Sequence, residues 1–319
     1  MKDGPGTTPQ SSGKLLELGA APQPLRWLCL VFGAALGFVV GRVLGVRRAQ
    51  VLGAMRRAGV GDPARAASQM YAGLGAGLFE LLASARVRPR PGLPAQSEAL
   101  PQGPAIVLCA HTGNWDFSAC AVARRTPLCV VTKRLKLGWV DRLWQRIRRD
   151  SGVQLLTAGG AAQGVAHALR DGKLVVMMID QAPERARATS VVPFLGAPAR
   201  VDLAPALLAA RAGVPVILAL PLRRPEGWHA VRLAGRWSPP ARGKRAWARQ
   251  VMHAATLALD AHVRQHPEQW LWMHRRWKDV PALPSREAEL ATSAFDSAKV
   301  GGVLALPPRA GRKLSRPLA

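Results

Sequence analysis

The apolar positions of the chain change period several times along its length. Residues 1–22 carry Gly, Pro, Ser and Thr with no sustained apolar repeat, which predicts a disordered tail. The uncharged stretch WLCLVFGAALGFVVG follows, from Trp27 to Gly41. With RVLGV after it, residues 23–46 are long enough for one membrane anchor helix if Arg26 and Arg42 snorkel to the interface. A buried soluble helix and a signal-peptide core are the other readings of such a run; its length, and the lack of a small-residue cleavage site, weigh against the second. Gly33, Gly37 and Gly41 recur every four residues on one face, the spacing that lets membrane helices approach closely or pair between chains. Arg42, Arg47, Arg48, Arg56 and Arg57 follow this stretch, whereas the charges before it are few and mixed. The positive-inside rule therefore predicts that everything after it is cytoplasmic.

Residues 47–103 read as a helical region and a linker. Two helices are expected between 47 and 86, the second opening with Asp62 as N-cap and Pro63 at its first position. The proline-rich RVRPRPGLPAQSEALPQGP then breaks the pattern. From 104 to 280 short apolar runs alternate with helical ones. AIVLCA, LCVVT, KLVVMMI, VPVILALPL and HAVRLA predict strands; helices fit near 115–124, 138–150, 160–171, 202–212 and 243–265. Strands that are apolar throughout must be covered on both faces, so the expected fold is α/β with a mixed central sheet flanked by helices. Residues 281–319 return to Pro, Ala, Ser and basic residues and predict a basic, disordered tail.

Charge narrows the partners without choosing one. The 45 Lys and Arg against 19 Asp and Glu give a net charge of +26, which attracts nucleic acid, anionic lipid or an acidic protein. Cys29, Cys109, Cys120 and Cys129 form no CxxC pair and sit among apolar residues, which suits free thiols in a reducing compartment.

The stretch HTGNWD, directly after AIVLCA, is the first sign of chemistry. His111 falls at the carboxyl end of an expected strand, where α/β folds collect ligands, and Asn114 can cap a helix whose first turn holds Asp116. A turn between them can return the carboxylate to the imidazole, fix its tautomer and leave the other ring nitrogen to take a proton. That is half of a triad, with the nucleophile supplied by a substrate hydroxyl; the same two side chains can equally serve packing. Other chemistries lack their motifs. There is no G-x-S-x-G elbow, no phosphate-binding G-x-x-x-x-G-K-[ST] loop and no strand-linked G-x-G-x-x-G; His262 and His266 are four apart but have no evident third metal ligand.

HTGNWD, DGKLVVMMIDQAP, VVPFLGAPAR, LAARAGVPVI and HPEQWLWMHRRWK occur in an order and spacing that resemble the bacterial lipid A biosynthesis acyltransferases, the late enzymes that add secondary acyl chains. The resemblance covers roughly residues 25–280. Its most distinctive block is the last, through Pro267, Gln269, Trp270, Trp272, His274, Arg275, Arg276 and Lys278. It implies a glycerolipid acyltransferase-like fold with one N-terminal transmembrane helix and a catalytic domain over 104–280. His111 would be the general base and Asp116 its orienting partner, in the Asp form of the family's His-x4-Glu/Asp motif. Arg148 or its neighbour Arg149 would match a family arginine, and Asp180 with Gln181 would match its Asp-Gln pair, although capping or loop hydrogen bonding also explains those two. Arg275, Arg276 and Lys278 suit phosphate or carboxylate groups, or are solvated charges beside Trp270, Trp272 and Trp277. The implied donor is an acyl carrier protein or acyl-CoA thioester, the acceptor an anionic glycolipid at the inner membrane, with no cofactor, metal or nucleic acid.

Two other functions are weighed against this one. Phosphatidic-acid-type glycerolipid acyltransferases share His-x4-Asp but carry a Glu-Gly-Thr-Arg block where this chain reads DQAPERARATSVVPFLG. A membrane-tethered basic adaptor fits the charge, but it needs no His111–Asp116 pair, and no nucleic-acid-binding signature is present.

Overall fold

The computed structural model describes residues 14–20, 22–83, 101–134, 137–157, 161–184, 188–278 and 280. The expected C-terminal tail and most of the proline-rich linker lie outside the described residues. Nine strands and eight α-helices follow one another as β1 (Lys14–Gly19), α1 (Gln23–Phe38), α2 (Arg48–Arg57), α3 (Pro63–Leu82), β2 (Ala105–Cys109), α4 (Trp115–Ala123), β3 (Leu128–Thr132), α5 (Gly138–Asp150), β4 (Val153–Thr157), α6 (Ala161–Arg170), β5 (Leu174–Met178), β6 (Thr189–Phe194), β7 (Ala197–Asp202), α7 (Ala204–Ala212), β8 (Val216–Arg223), β9 (His229–Trp237) and α8 (Lys244–Gln265). A π turn, Val39–Val43, prolongs α1, and a 3-10 turn, Pro267–Gln269, follows α8.

Seven strands form one mixed sheet in the order β1-β9-β8-β2-β5-β3-β4; β6 and β7 make a separate hairpin. The five strands from β8 to β4 run parallel, and β9 and β1 add antiparallel pairs at one edge. Period-two alternation divides the apolar side chains between the two faces. Ile106 and Leu108 enter the core shared with α2, α3, α6, α7 and α8, while Ala105, Val107 and Cys109 face α4 and α5. The chain leaves β2 through α4 toward β3, and leaves β5 through the hairpin and α7 toward β8, on the other side of β2. Adjacent strands with connections departing in opposite directions open a crevice at their carboxyl ends, where α/β sheets bind ligands.

Two expectations change here. Residues 14–19, expected within a disordered tail, form β1, because Leu16 and Leu18 alternate inward and their backbone extends the edge left open by β9. Gly33, Gly37 and Gly41, whose face could have paired between chains, pack inside this one. A Cβ on Gly33 would fall 2.2 Å from the Ala76 backbone and one on Gly37 2.5 Å from Ala72, so α1 and α3 lie backbone to backbone as an antiparallel pair. Asp62 caps α3 by accepting from Arg65 N–H at 2.9 Å, and Pro63 takes its first position.

Candidate active site

Parallel pairing sets the site. Cys109 of β2 lies opposite Met178 of β5, so two residues further on His111 comes level with Asp180. Asp180 Oδ2 accepts the His111 backbone N–H, and its Oδ1 lies 2.9 Å from His111 Nδ1. Trp270 Nε1–H also donates to Oδ2 at 2.9 Å. A carboxylate that only accepts fixes the proton on Nδ1 and leaves Nε2 as the basic nitrogen. Burial opposes the charge on His111, but the neighbouring Asp180 carboxylate and its hydrogen bond outweigh burial and hold the imidazole above its ordinary value. Asp180 is wholly buried; burial acts to raise its pKa, and the His111 charge and hydrogen bonds bring it well below the carboxylate range.

Asp116 does not orient His111 by a hydrogen bond. Asn114 caps α4 by accepting from Phe117 N–H at 3.1 Å, which turns Asp116 toward α5. There Asp116 accepts from Trp144 Nε1 at 2.9 Å and from Arg148 through Nε at 2.9 Å and NH2. As the second residue of α4, two past its Asn114 cap, Asp116 turns its carboxylate to α5, and the level position beside His111 belongs to Asp180. Arg148 also reaches Thr132 Oγ1 and Gln145 Oε1, both at 3.2 Å. Arg149, one position on, is exposed on the other side of α5.

The turn between His111 and Asn114 is clamped from several directions. Gly113 has φ 56°, and a Cβ there would lie 2.8 Å from Leu222 Cα, so both conformation and space demand glycine. Gly113 N–H donates to Gln269 O at 3.0 Å and Leu271 N–H to His111 O at 2.9 Å. Asn114 Nδ2 donates to buried Glu80 of α3 at 2.9 Å, and Glu80 is paired with Arg223 and with His229 at 3.2 Å. The charges and hydrogen bonds of these partners overcome burial and lower the Glu80 pKa to about 2.

Gln181 lies beside the site, its Nε2 3.4 Å from His274 Nε2. His274 packs edge-on to His111, ring centroids 4.8 Å apart, and burial, followed by the His111 charge, lowers its pKa to about 4. Arg276 does not present itself to a ligand. It is buried, donates to the carbonyls of Arg200 and Gln181, and stacks its guanidinium 5.4 Å above Phe194; burial lowers its pKa to about 10. Arg275 is exposed outside the cavity lining. Trp270, Trp272 and Arg276 all fall on the inward side of a two-residue alternation, which leaves Arg275 facing out.

Sequence reasoning missed the tie between Asp180 and His111, Trp144 on Asp116, and His274 beside His111. The offset of 69 residues is visible only once β2 and β5 are paired; His274 stood in a recognised motif, and its separation from His111 gave no signal of contact. His111, Asp180 and His274 have donor atoms within 4.8 Å of one another, a spacing that can hold a cation. Both oxygens of Asp180 already accept hydrogen bonds from His111 and Trp270, so this group fits proton handling better than metal binding.

A cavity of about 870 Å³ opens at these residues, in the size range that encloses a whole small molecule. His111, Asp116, Arg148, Gln181 and His274 line its mouth. Its interior is the α4-side face of the sheet: Val107, Val130, Val176, Ile217, Ala219 and Leu233, reaching Leu16 of β1. Cys109 lines it too, but burial, then the Asp180 charge, push its thiol up to about 12, which removes it as a nucleophile. The cavity therefore joins the His111 imidazole at one end to a long apolar wall. No curated protein matches the chain. The family model for bacterial lipid A biosynthesis acyltransferases matches residues 96–279 of the 319, and with HTGNWD and the closing tryptophan block both inside that span, the protein belongs to this acyltransferase family.

Proposed function

We propose that this acyltransferase moves a fatty acyl chain from an acyl carrier protein thioester, or from acyl-CoA, to a hydroxyl of a lipid A precursor or related anionic glycolipid. The observation that carries it is the His111–Asp180 pair at 2.9 Å, set at the mouth of a cavity whose walls are apolar. The acyl chain lies along the sheet face, which brings its carbonyl carbon to His111. Nε2 takes the proton of the acceptor hydroxyl as its oxygen bonds to that carbon; the C–S bond breaks, and the departing thiolate takes the proton back from the imidazolium. Asp180 stabilises the imidazolium while it exists.

Arg148 serves the oxyanion from the cavity wall. Asp116, Thr132 and Gln145 hold its guanidinium rigid and, among the described residues, leave an NH2 hydrogen unspent, so the donor is set before charge develops. Asp116 is thus a positioning residue acting through Arg148. Gln181 and His274 border the space left for the acceptor. The net charge of +26 favours both an acidic carrier protein and a phosphorylated lipid, and a cytoplasmic setting at the inner membrane supplies them together.

Mass spectrometry of a disaccharide lipid A precursor incubated with acyl carrier protein thioesters tests the reading. Wild-type protein should add one acyl mass, and His111→Ala should slow the addition by about 10²- to 10⁴-fold, the usual share of a general base. Transfer to a lysophospholipid and not to the precursor would replace the acceptor and keep the reaction; full activity of folded His111→Ala would remove the mechanism.

A further inference from the structure

We infer that α1 does not cross the membrane: it lies along one leaflet with its outer face among the acyl chains, and the segments before and after it stay on the same side. The pairing of β1 carries this. Helix α1 with its π turn spans 21 residues, enough by length and composition to cross a bilayer. Yet the strand immediately before it is hydrogen-bonded into the catalytic sheet, with Leu15 opposite Arg232 and Leu16 opposite Val231. Just beyond its other end, Arg47 donates to Met273 O at 2.6 Å and Gln50 Nε2 to His274 O at 3.2 Å, beside the site. Both ends of the helix are therefore fastened to the same body.

The packing of α3 gives the same answer. Along its length α1 is in backbone contact with α3, and α3 in turn bonds to the catalytic domain through Gly77 O with Asn114 and Glu80 with Arg223. A bilayer normal drawn along α1 would pull that ion pair, Asn114 and the β1–β9 edge to the depth of the hydrocarbon. Charges and irregular backbone are costly there. With α1 flat, only its outward side chains enter lipid: Trp27, Phe32, Phe38, Val43 and Leu44 are all more than half exposed. Arg26 precedes them and Arg42 lies among them, and Arg42, Arg48 and Arg65 border a groove of about 490 Å³ between α1 and α3, so an anionic leaflet complements the face.

The test uses the full chain bound to vesicles of phosphatidylethanolamine and phosphatidylglycerol. The double variant Leu15→Cys/Arg232→Cys should form an intramolecular disulfide while vesicle-bound, because directly opposed residues of antiparallel strands lie within disulfide reach. Lys14→Cys and Arg249→Cys, each exposed, should label from the same side of sealed vesicles with an impermeant maleimide; the four native cysteines are buried, and the unsubstituted chain gives the background. Trp27→Ala/Phe32→Ala should weaken vesicle partition by about tenfold or more. Labelling from opposite sides would establish a crossing helix, and no disulfide in the bound protein would remove the β1–β9 anchorage; either result overturns the inference. Unchanged partition of the Trp27/Phe32 variant would overturn the leaflet contact. None of these readouts depends on acyl transfer, so a wrong donor or acceptor leaves them untouched.

Discussion

Two carboxylates act on His111 in different ways. Asp180 holds its Nδ1 at 2.9 Å, whereas Asp116 spends its oxygens on Arg148 and Trp144 and influences the imidazole through charge. The proposed base, His111, would work in its neutral form, so activity should rise with pH through a limb that lies above 6.5, the ordinary value from which Asp180 raises it. Asp180→Asn should lower kcat by about 10²-fold or more and move that limb to lower pH. Asp116→Asn should move the limb less, because charge without a hydrogen bond is the smaller influence. A pH profile of kcat/KM for both variants measures this; a larger displacement in Asp116→Asn would return the orienting role to Asp116. The residue types needed for this chemistry were visible in HTGNWD and MMIDQ. Which acid touches the imidazole depended on strand pairing, whereas spacing along the chain pointed to Asp116.

Among the elements, α3 is where the helical layer meets the catalytic turn. Glu80 on α3 holds Asn114, the cap of α4, and its charge is balanced by Arg223 and His229. Glu80→Ala leaves Arg223 largely buried without its partner and should cost about 3 kcal/mol of stability, read as a shifted denaturant midpoint. Glu80→Gln keeps a partner for Asn114 and should cost less. The sign with pH follows from the lowered pKa. The carboxylate contributes fully above about 4.5, its ordinary value, and that contribution is lost as pH falls toward about 2. Acid titration of Glu80→Gln should therefore show a shallower loss of stability across this window than wild type. The helix itself was legible from Asp62, Pro63 and its apolar period, and so were α4 to α8. The sequence contained no sign that an acid in its last turns would be buried, since burial is a property of what packs on it. Strand β4, the hairpin and β1 were also unread, being short and only partly apolar.

For the molecule as a whole, the cavity beneath α4 is the proposed acyl site, and its depth would set which chain fits. Ala219 of β8 lines it at mid-sheet, so Ala219→Phe should shorten the usable groove at a stability cost of about 1–3 kcal/mol. Competition among thioesters of graded chain length should then shift toward shorter chains with little change in the pH profile. An unchanged preference would place the acyl chain elsewhere.

The sequence by itself determined the class of the fold, the five inner strands of the sheet rich in Val, Leu and Ile, most helices, the acyltransferase family and the histidine that heads the site. These are local or additive properties: apolar period, capping residues and ordered motifs survive being read one segment at a time. Tertiary structure decided that Asp180 holds His111, that Arg276 supports a core while Arg148 meets the cavity, and that the glycines of α1 pack on α3. Each of those depends on residues brought together from 32 to 76 positions apart or on close backbone approach between helices. Pairing register and packing make such contacts, and no period along a single segment encodes them.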